Sequence, residues 1–403
     1  MKRCCGVVLA WLAAAAAPAC AVRFDALATV DAGTDAHALP SDADSPEDVG
    51  VDAVSGDAAP AECPTGVQWI DTEPPPLPAE SSFVLTPSAT GFELFYESHA
   101  RPVGLWPTWV HLPISGPASA PIEAGWVTLN PTLFAGADER GRPFFAMLEG
   151  DRVRWSAAPT GDSWTTFDGE LYPPLAVGDL AFRSEGLLLA CGSSGPPIGS
   201  GPSVFRRDAS GETSLSFVAP SPGDGAVTTP RLRIAPDGEV WMGYVAERRH
   251  PLFVSADHRL SLDGCDTMDL DFVAGPGVLG VVANCFRDGV RSVDVSLVGE
   301  GGVTAQRTLE ACTGLASAPH IAWSGDRLVV VHCSEAGPRV DVLRASDLLP
   351  LASTPIPGAV ATRADRWTTG VAAHDDGTLA VAWAHVAEPG IRTAAVQRFR
   401  ACE

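Results

Sequence analysis

The sequence predicts an all-β protein, a seven-bladed β-propeller that follows a disordered N-terminal segment. Three observations carry this expectation. Glycine (40) and proline (35) together make up nearly a fifth of the 403 residues, which favours short elements joined by turns over long helices. An apolar strand, a glycine-bearing turn and a second, strongly apolar strand recur seven times. The turn glycines Gly91, Gly141, Gly186, Gly238, Gly277, Gly325 and Gly377 lie 50, 45, 52, 39, 48 and 52 residues apart, a period that suits one four-stranded sheet per repeat.

The repeats are, in order, "SFVLTPSATGFELFYES", "TLNPTLFAGADERGRPFFAMLEG", "AVGDLAFRSEGLLLACG", "PRLRIAPDGEVWMGYVAE", "LDFVAGPGVLGVVANC", "PHIAWSGDRLVVVHC" and "GVAAHDDGTLAVAWAH". Their continuous apolar runs fit strands buried on both faces, so each hairpin is expected to form the two inner strands of a blade. The segments between them, such as "PSVFRRDASGETSLSFVAP" and "PRVDVLRASDLLPLAST", alternate more and read as outer strands. A helical solenoid of similar period would need apolar residues at i, i+3 and i+4, and no such stretch is present. An irregular ring of six or eight blades fits the same pattern. The last repeat is followed by one strand, "IRTAAVQRFRACE", which leaves its blade a strand short, and "TGVQWID" after Cys63 is free to supply the fourth.

Upstream of the repeats the chain reads as an address. "MKRCCGVVLAWLAAAAAPAC" has a basic start, an apolar run and small residues at its end, the pattern of a secretory signal over residues 1–19. Ala17-Pro18-Ala19 before Cys20 fits an ordinary signal cleavage site and also resembles a bacterial lipobox, which would make Cys20 a lipidation site. Residues 20–62 form an acidic Ala/Asp-rich linker: from Arg23 to Glu62 there are ten acidic residues and one arginine. Such a segment buries too little apolar surface to offset its chain entropy. The propeller is assigned to residues 63–403.

An acidic, alanine-rich stalk behind a candidate lipidated cysteine resembles the N-termini of uncharacterised predicted lipoproteins from myxobacteria and their relatives. The resemblance covers about the first 62 residues and implies a location and no activity: the protein is expected to be exported, as an outer-membrane lipoprotein or as a secreted or periplasmic protein. A net charge of −22 and the lack of a basic stripe in the sequence argue against nucleic acid as a partner. Any membrane contact is expected through the lipid alone, and the body is expected to be a monomer.

Seven cysteines lie in the body. Cys63 and Cys402 stand at its two ends, and ring closure would bring them together. A bridge there closes a loop of about 340 residues, and in the chain-entropy model stabilises by about 4–5 kcal/mol. Cys265 and Cys285 are 20 residues apart and Cys312 and Cys333 are 21 apart, in matching positions around two consecutive hairpins. Two bridges within blades are therefore expected, with Cys285 to Cys312 as the rival pairing. Cys191 then remains as a buried thiol.

No catalytic, cofactor-binding or metal-ligating residue is assigned from the sequence. His374 and His385 bracket the Asp376-Gly377 turn of the seventh hairpin, but at roughly 3.3 Å per residue they stand about 15–20 Å apart, too far to share an ion. His320 and His332 sit on opposite arms of one hairpin and read as lone polar residues. Sialidases share this architecture, but only "APDGEVW" approaches their S-x-D-x-G-x-x-W box. G-x-S-x-G, H-E-x-x-H, P-loop and CxxC patterns are absent. Trp106, Trp109, Trp126, Trp155 and Trp164 are read chiefly as packing between blades, with sugar stacking as the other role. The expected function is a binding or interaction scaffold for a protein or glycan at the propeller face. A glycan-active hydrolase or lyase and a passive envelope component are the alternatives.

Overall fold

The computed structural model describes residues 23–24, 66–71, 76–78, 83–98, 106–123, 132–137, 143–149, 152–156, 165–167, 169–170, 176–183, 186–192, 202–208, 213–219, 230–246, 250–262, 265–287, 290–310, 318–359, 367–388 and 391–402. Among them every regular element is a strand. The expected signal, Cys20 and nearly all of the linker lie outside the described residues; Arg23–Phe24 pairs antiparallel with Gly169–Glu170.

Six sheets are four-stranded antiparallel meanders arranged as blades of a β-propeller. Their first strands are Phe83–Ser88, Thr132–Ala137, Ala176–Arg183, Arg231–Ile234, Asp266–Gly275 and His320–Ser324, and they are called the first to sixth sheets below. A further, composite sheet is built from Trp367–Ala373, Thr378–Glu388 and Ile391–Ala401, with Val67–Trp69 added along the last of these. The repeated hairpins supply the first two strands of every sheet, as their apolar runs suggested. First strands of consecutive sheets lie side by side, and Trp367–Ala373 also packs against Phe83–Ser88.

The reason those runs have no polar face is visible in Arg327–Ser334 of the sixth sheet. Leu328, Val329, Val330 and Val331 are all fully buried. Leu328 and Val330 join a core shared with the fifth sheet, through Val282, Val293 and Val295. Val329 and Val331 join a core shared with the composite sheet, through Leu379, Val381 and Phe399. Alternation is thus kept, but both faces meet another sheet. Trp109 fills the corresponding space between the first and second sheets, stacked on Phe145 at 6.4 Å. Of the other tryptophans considered, Trp106 is half-buried, the side chain of Trp155 is not described, and Trp126 and Trp164 lie outside the described residues.

The expected donation of a strand by "TGVQWID" is present: Val67 pairs with Ala401 and Trp69 with Phe399. Asp71, just beyond, accepts from the backbone N–H of Arg398 at 2.7 Å and from its guanidinium, Nε at 3.0 Å. The same guanidinium donates to the carbonyl of Gly116 at 2.8 Å, so it ties the added strand to the first sheet as well.

The disulfide expectations divide. Cys265 and Cys285 are bridged, with Cα atoms 5.0 Å apart. Cys402 is disulfide-bonded, but Cys63 lies outside the described residues. The bridge expected between Cys312 and Cys333 is not formed: Cys333 is a buried thiol whose Sγ donates to the Ser334 carbonyl at 3.5 Å. The register explains the difference between the two hairpins. In the fifth sheet Cys285 pairs with Thr267, two residues from Cys265, after a bulge that shifts the ladder. In the sixth, His320 pairs with Val331, so Cys333 falls opposite position 318, six residues along the chain from Cys312. Spacings of 20 and 21 residues concealed a difference in register, which leaves the first cysteine two residues from its ladder position in one hairpin and six in the other. Cys312 lies outside the described residues, and Cys191 stands in Gly186–Gly192 with its side chain not described.

Candidate binding site in the central cavity

The first strands enclose a cavity of about 430 Å³, lined from all six blades and the composite sheet. An innermost strand has a free edge facing this space, and its backbone N–H groups need partners. Two aspartates supply them. Asp179 of the third sheet accepts from Leu232 N of the fourth at 2.9 Å, and Asp271 of the fifth accepts from Ile321 N of the sixth at 3.3 Å.

Arg233 joins the two acids. Its Nη1 donates to Asp179 Oδ2 at 3.0 Å, its Nη2 to Asp271 Oδ1 at 2.5 Å, and its Nε to the Phe272 carbonyl at 2.9 Å. The guanidinium also lies 5.7 Å from the Phe272 ring centroid. His320 continues the chain, with Nδ1 3.3 Å from Asp271 Oδ2. Burial works to raise the Asp271 carboxyl, but the Arg233 charge and then the His320 hydrogen bond outweigh it and hold the group well below the usual carboxylate range. Arg233 is the mirror case: burial pulls it down, and the charges of Asp271 and Asp179 hold it above its ordinary value. Asp271 is therefore a fixed anion that orients its neighbours and is no proton donor at neutral pH.

The remainder of the wall is mostly apolar, with Thr86 and Thr369 as its hydroxyl-bearing members. Phe83, Leu133, Phe134, Val371 and Ala372 face the same space from the first, second and composite sheets. The cavity thus has a charged arc over the third to sixth sheets and an apolar arc opposite.

The histidines singled out in the sequence part company here. Register places His385 opposite Trp367, at the far end of the hairpin from His374, whose Nδ1 contacts Asp376 Oδ1 at 2.9 Å beside the turn. His320 and His332 are near neighbours across the ladder, since His320 pairs with Val331. They are separated by face and not by length: His332 is buried against Asp341 while His320 lines the cavity. The sequence reading missed Asp179, Arg231, Arg233, Asp271 and His320 as a group, because they are spread over 140 residues. The recoverable signal was their shared position, a polar residue inside the first strand of four successive repeats.

No protein-family model matches the sequence, and no curated protein matches it. Among solved structures, the crystal structure of the polysaccharide lyase Uly1 superposes with a TM-score of 0.51 at 10% identity, covering 81% of this chain and 91% of that one. That likeness is one of fold. Hsv2 of Kluyvelomyces marxianus matches with a TM-score of 0.47 at 10% identity, over 78% of this chain and 97% of that one.

Proposed function

We propose that the protein is an exported, membrane-tethered β-propeller that binds a ligand in its central cavity. The composite sheet serves as a seventh blade, the ring being closed by Val67–Trp69 and by a Cys63–Cys402 bridge. Cys20 carries the lipid, and residues 20–62 act as the stalk. The observation that carries the binding reading is the two-sided cavity wall. A merely structural axis would be filled by side chains, whereas this one leaves about 430 Å³ between a charged arc and an apolar arc.

A glycan and peptide array probed with the wild type and with Gly136→Trp, which adds a ring at a wall position where a new Cβ would meet only the Phe182 ring at 3.7 Å, tests the reading. Ligand retained by the wild type and lost by the variant, with an unchanged melting transition, is the expected result. Equal binding by both would move the site elsewhere on the propeller and overturn it.

A second reading, a glycan-active enzyme, is favoured by one observation: the ionised Asp271 orients Nδ1 of His320, which leaves Nε2 toward the cavity as a base. The fold is one on which a polysaccharide lyase is built. Product release from a panel of polysaccharides, abolished in His320→Gln, would establish it. Ligand binding without turnover in the wild type would exclude it for that panel.

A further inference from the structure

Arg231 and Arg233 are two residues apart on one strand and both line the cavity, but they are not equivalent. Arg233 is fully committed to Asp179, Asp271 and two backbone carbonyls. Arg231 is not: among the described residues no acceptor lies within hydrogen-bond or ion-pair distance of its guanidinium. The carboxylate whose charge it feels is Asp271. That group is already occupied, Oδ1 by Arg233 and Oδ2 by His320 and Ile321 N. On the other side of Asp271, His320 spends Nδ1 on the acid, and its Nε2 has no protein partner among the described residues.

A half-enclosed guanidinium with no hydrogen-bond acceptor is under-satisfied, and a planar carboxylate satisfies its fork in two parallel bonds. We infer that the cavity takes a small carboxylate ligand with an apolar body, its carboxylate held by Arg231 and its body against Phe83, Leu133, Phe134 and Val371. Charge selects a monoanion. Arg231 and Arg233 together balance Asp179 and Asp271, so one added negative charge sits beside a neutral cluster, while a second would face the two fixed aspartates.

The inference rests on the cavity being the binding site, and its test is chosen to fail separately. Isothermal titration of the full chain uses cyclohexanecarboxylate, its uncharged carboxamide and inorganic phosphate. The carboxylate is expected to bind at least about tenfold more tightly than either comparator, and Arg231→Gln to lose about tenfold or more, with Arg231→Lys intermediate. Melting transitions of the variants should stay near the wild type, because the Arg231 guanidinium makes no hydrogen bond among the described residues and adds only a charge beside Asp271. Carboxamide binding as tightly as carboxylate, or Arg231→Gln binding like the wild type, would overturn the assignment. If an uncharged array ligand is lost in Gly136→Trp while the carboxylate does not bind, the carboxylate assignment falls and the cavity reading stands. No binding in either experiment removes both.

Discussion

From the third sheet to the sixth, neighbouring blades are joined at the cavity wall by side chains bonded to the next sheet's backbone: Asp179 to Leu232 N, Arg233 to the Phe272 carbonyl, Asp271 to Ile321 N. From the composite sheet through the first and second to the third, the joints are rings and small residues. Phe83 lies over Gly370, where an added Cβ would stand 3.3 Å from the ring, and Phe144 stacks on Phe182 at 4.4 Å. Neighbouring innermost strands are thus joined by directed charge on one side of the ring and by packing on the other. The charged arc is specific in direction and sensitive to pH, and the apolar arc is sensitive only to volume.

Four measurements would break or sharpen that contrast. The largest loss should come from the apolar arc: Phe83→Ala empties a site that is 6% exposed and should cost about 3–5 kcal/mol in urea unfolding at neutral pH. Asp271→Ala should cost somewhat less, about 2–3 kcal/mol, since Arg233 keeps Asp179 while Ile321 N and His320 lose their acceptor. If this variant were as stable as the wild type, the charged arc would be ornamental to the fold.

The third measurement separates the arcs by pH. Asp271 titrates lower folded than unfolded, so its stabilisation is fully present above the ordinary aspartate range and is lost as pH falls from about 5 toward below 2. The wild type and Phe83→Ala should lose stability in parallel across that window, and Asp271→Asn should lose less. Identical slopes for all three would refute the assignment of an ionised, paired Asp271. The smallest effect belongs to the end of the charged arc, where Thr369 Oγ1 donates to the Ala318 carbonyl at 3.5 Å. Thr369→Val should change stability by no more than about 0.5 kcal/mol. A larger loss would extend the directed joints into the composite sheet.

The packed core between blades was legible in the sequence and the charged arc was not, for a physical reason. Residues such as Leu328 to Val331 announce burial on both faces within one short window, because burial is a local property of a strand. Asp179, Arg233, Asp271 and His320 each look like an ordinary polar position in their own repeat. They become a group only when the ring stacks the first strands beside one another. The strand added by Val67–Trp69 was also legible, since a blade one strand short demands a donor. The Cys333 thiol was not, because pairing depends on ladder register, which residue counts alone obscure.

Closure by Val67–Trp69 has a mechanical side. If the chain ahead of Gly66 is a tether, the proposed Cys63–Cys402 bridge would take up drag on the body first and share it with a strand of three residues. Behind it stand the Asp71–Arg398 pair and the hydrogen bond from Cys402 N to the Gly66 carbonyl at 2.9 Å. The first and last described strands of the body carry that load together, so the ring would open at its seam only after this clasp is broken.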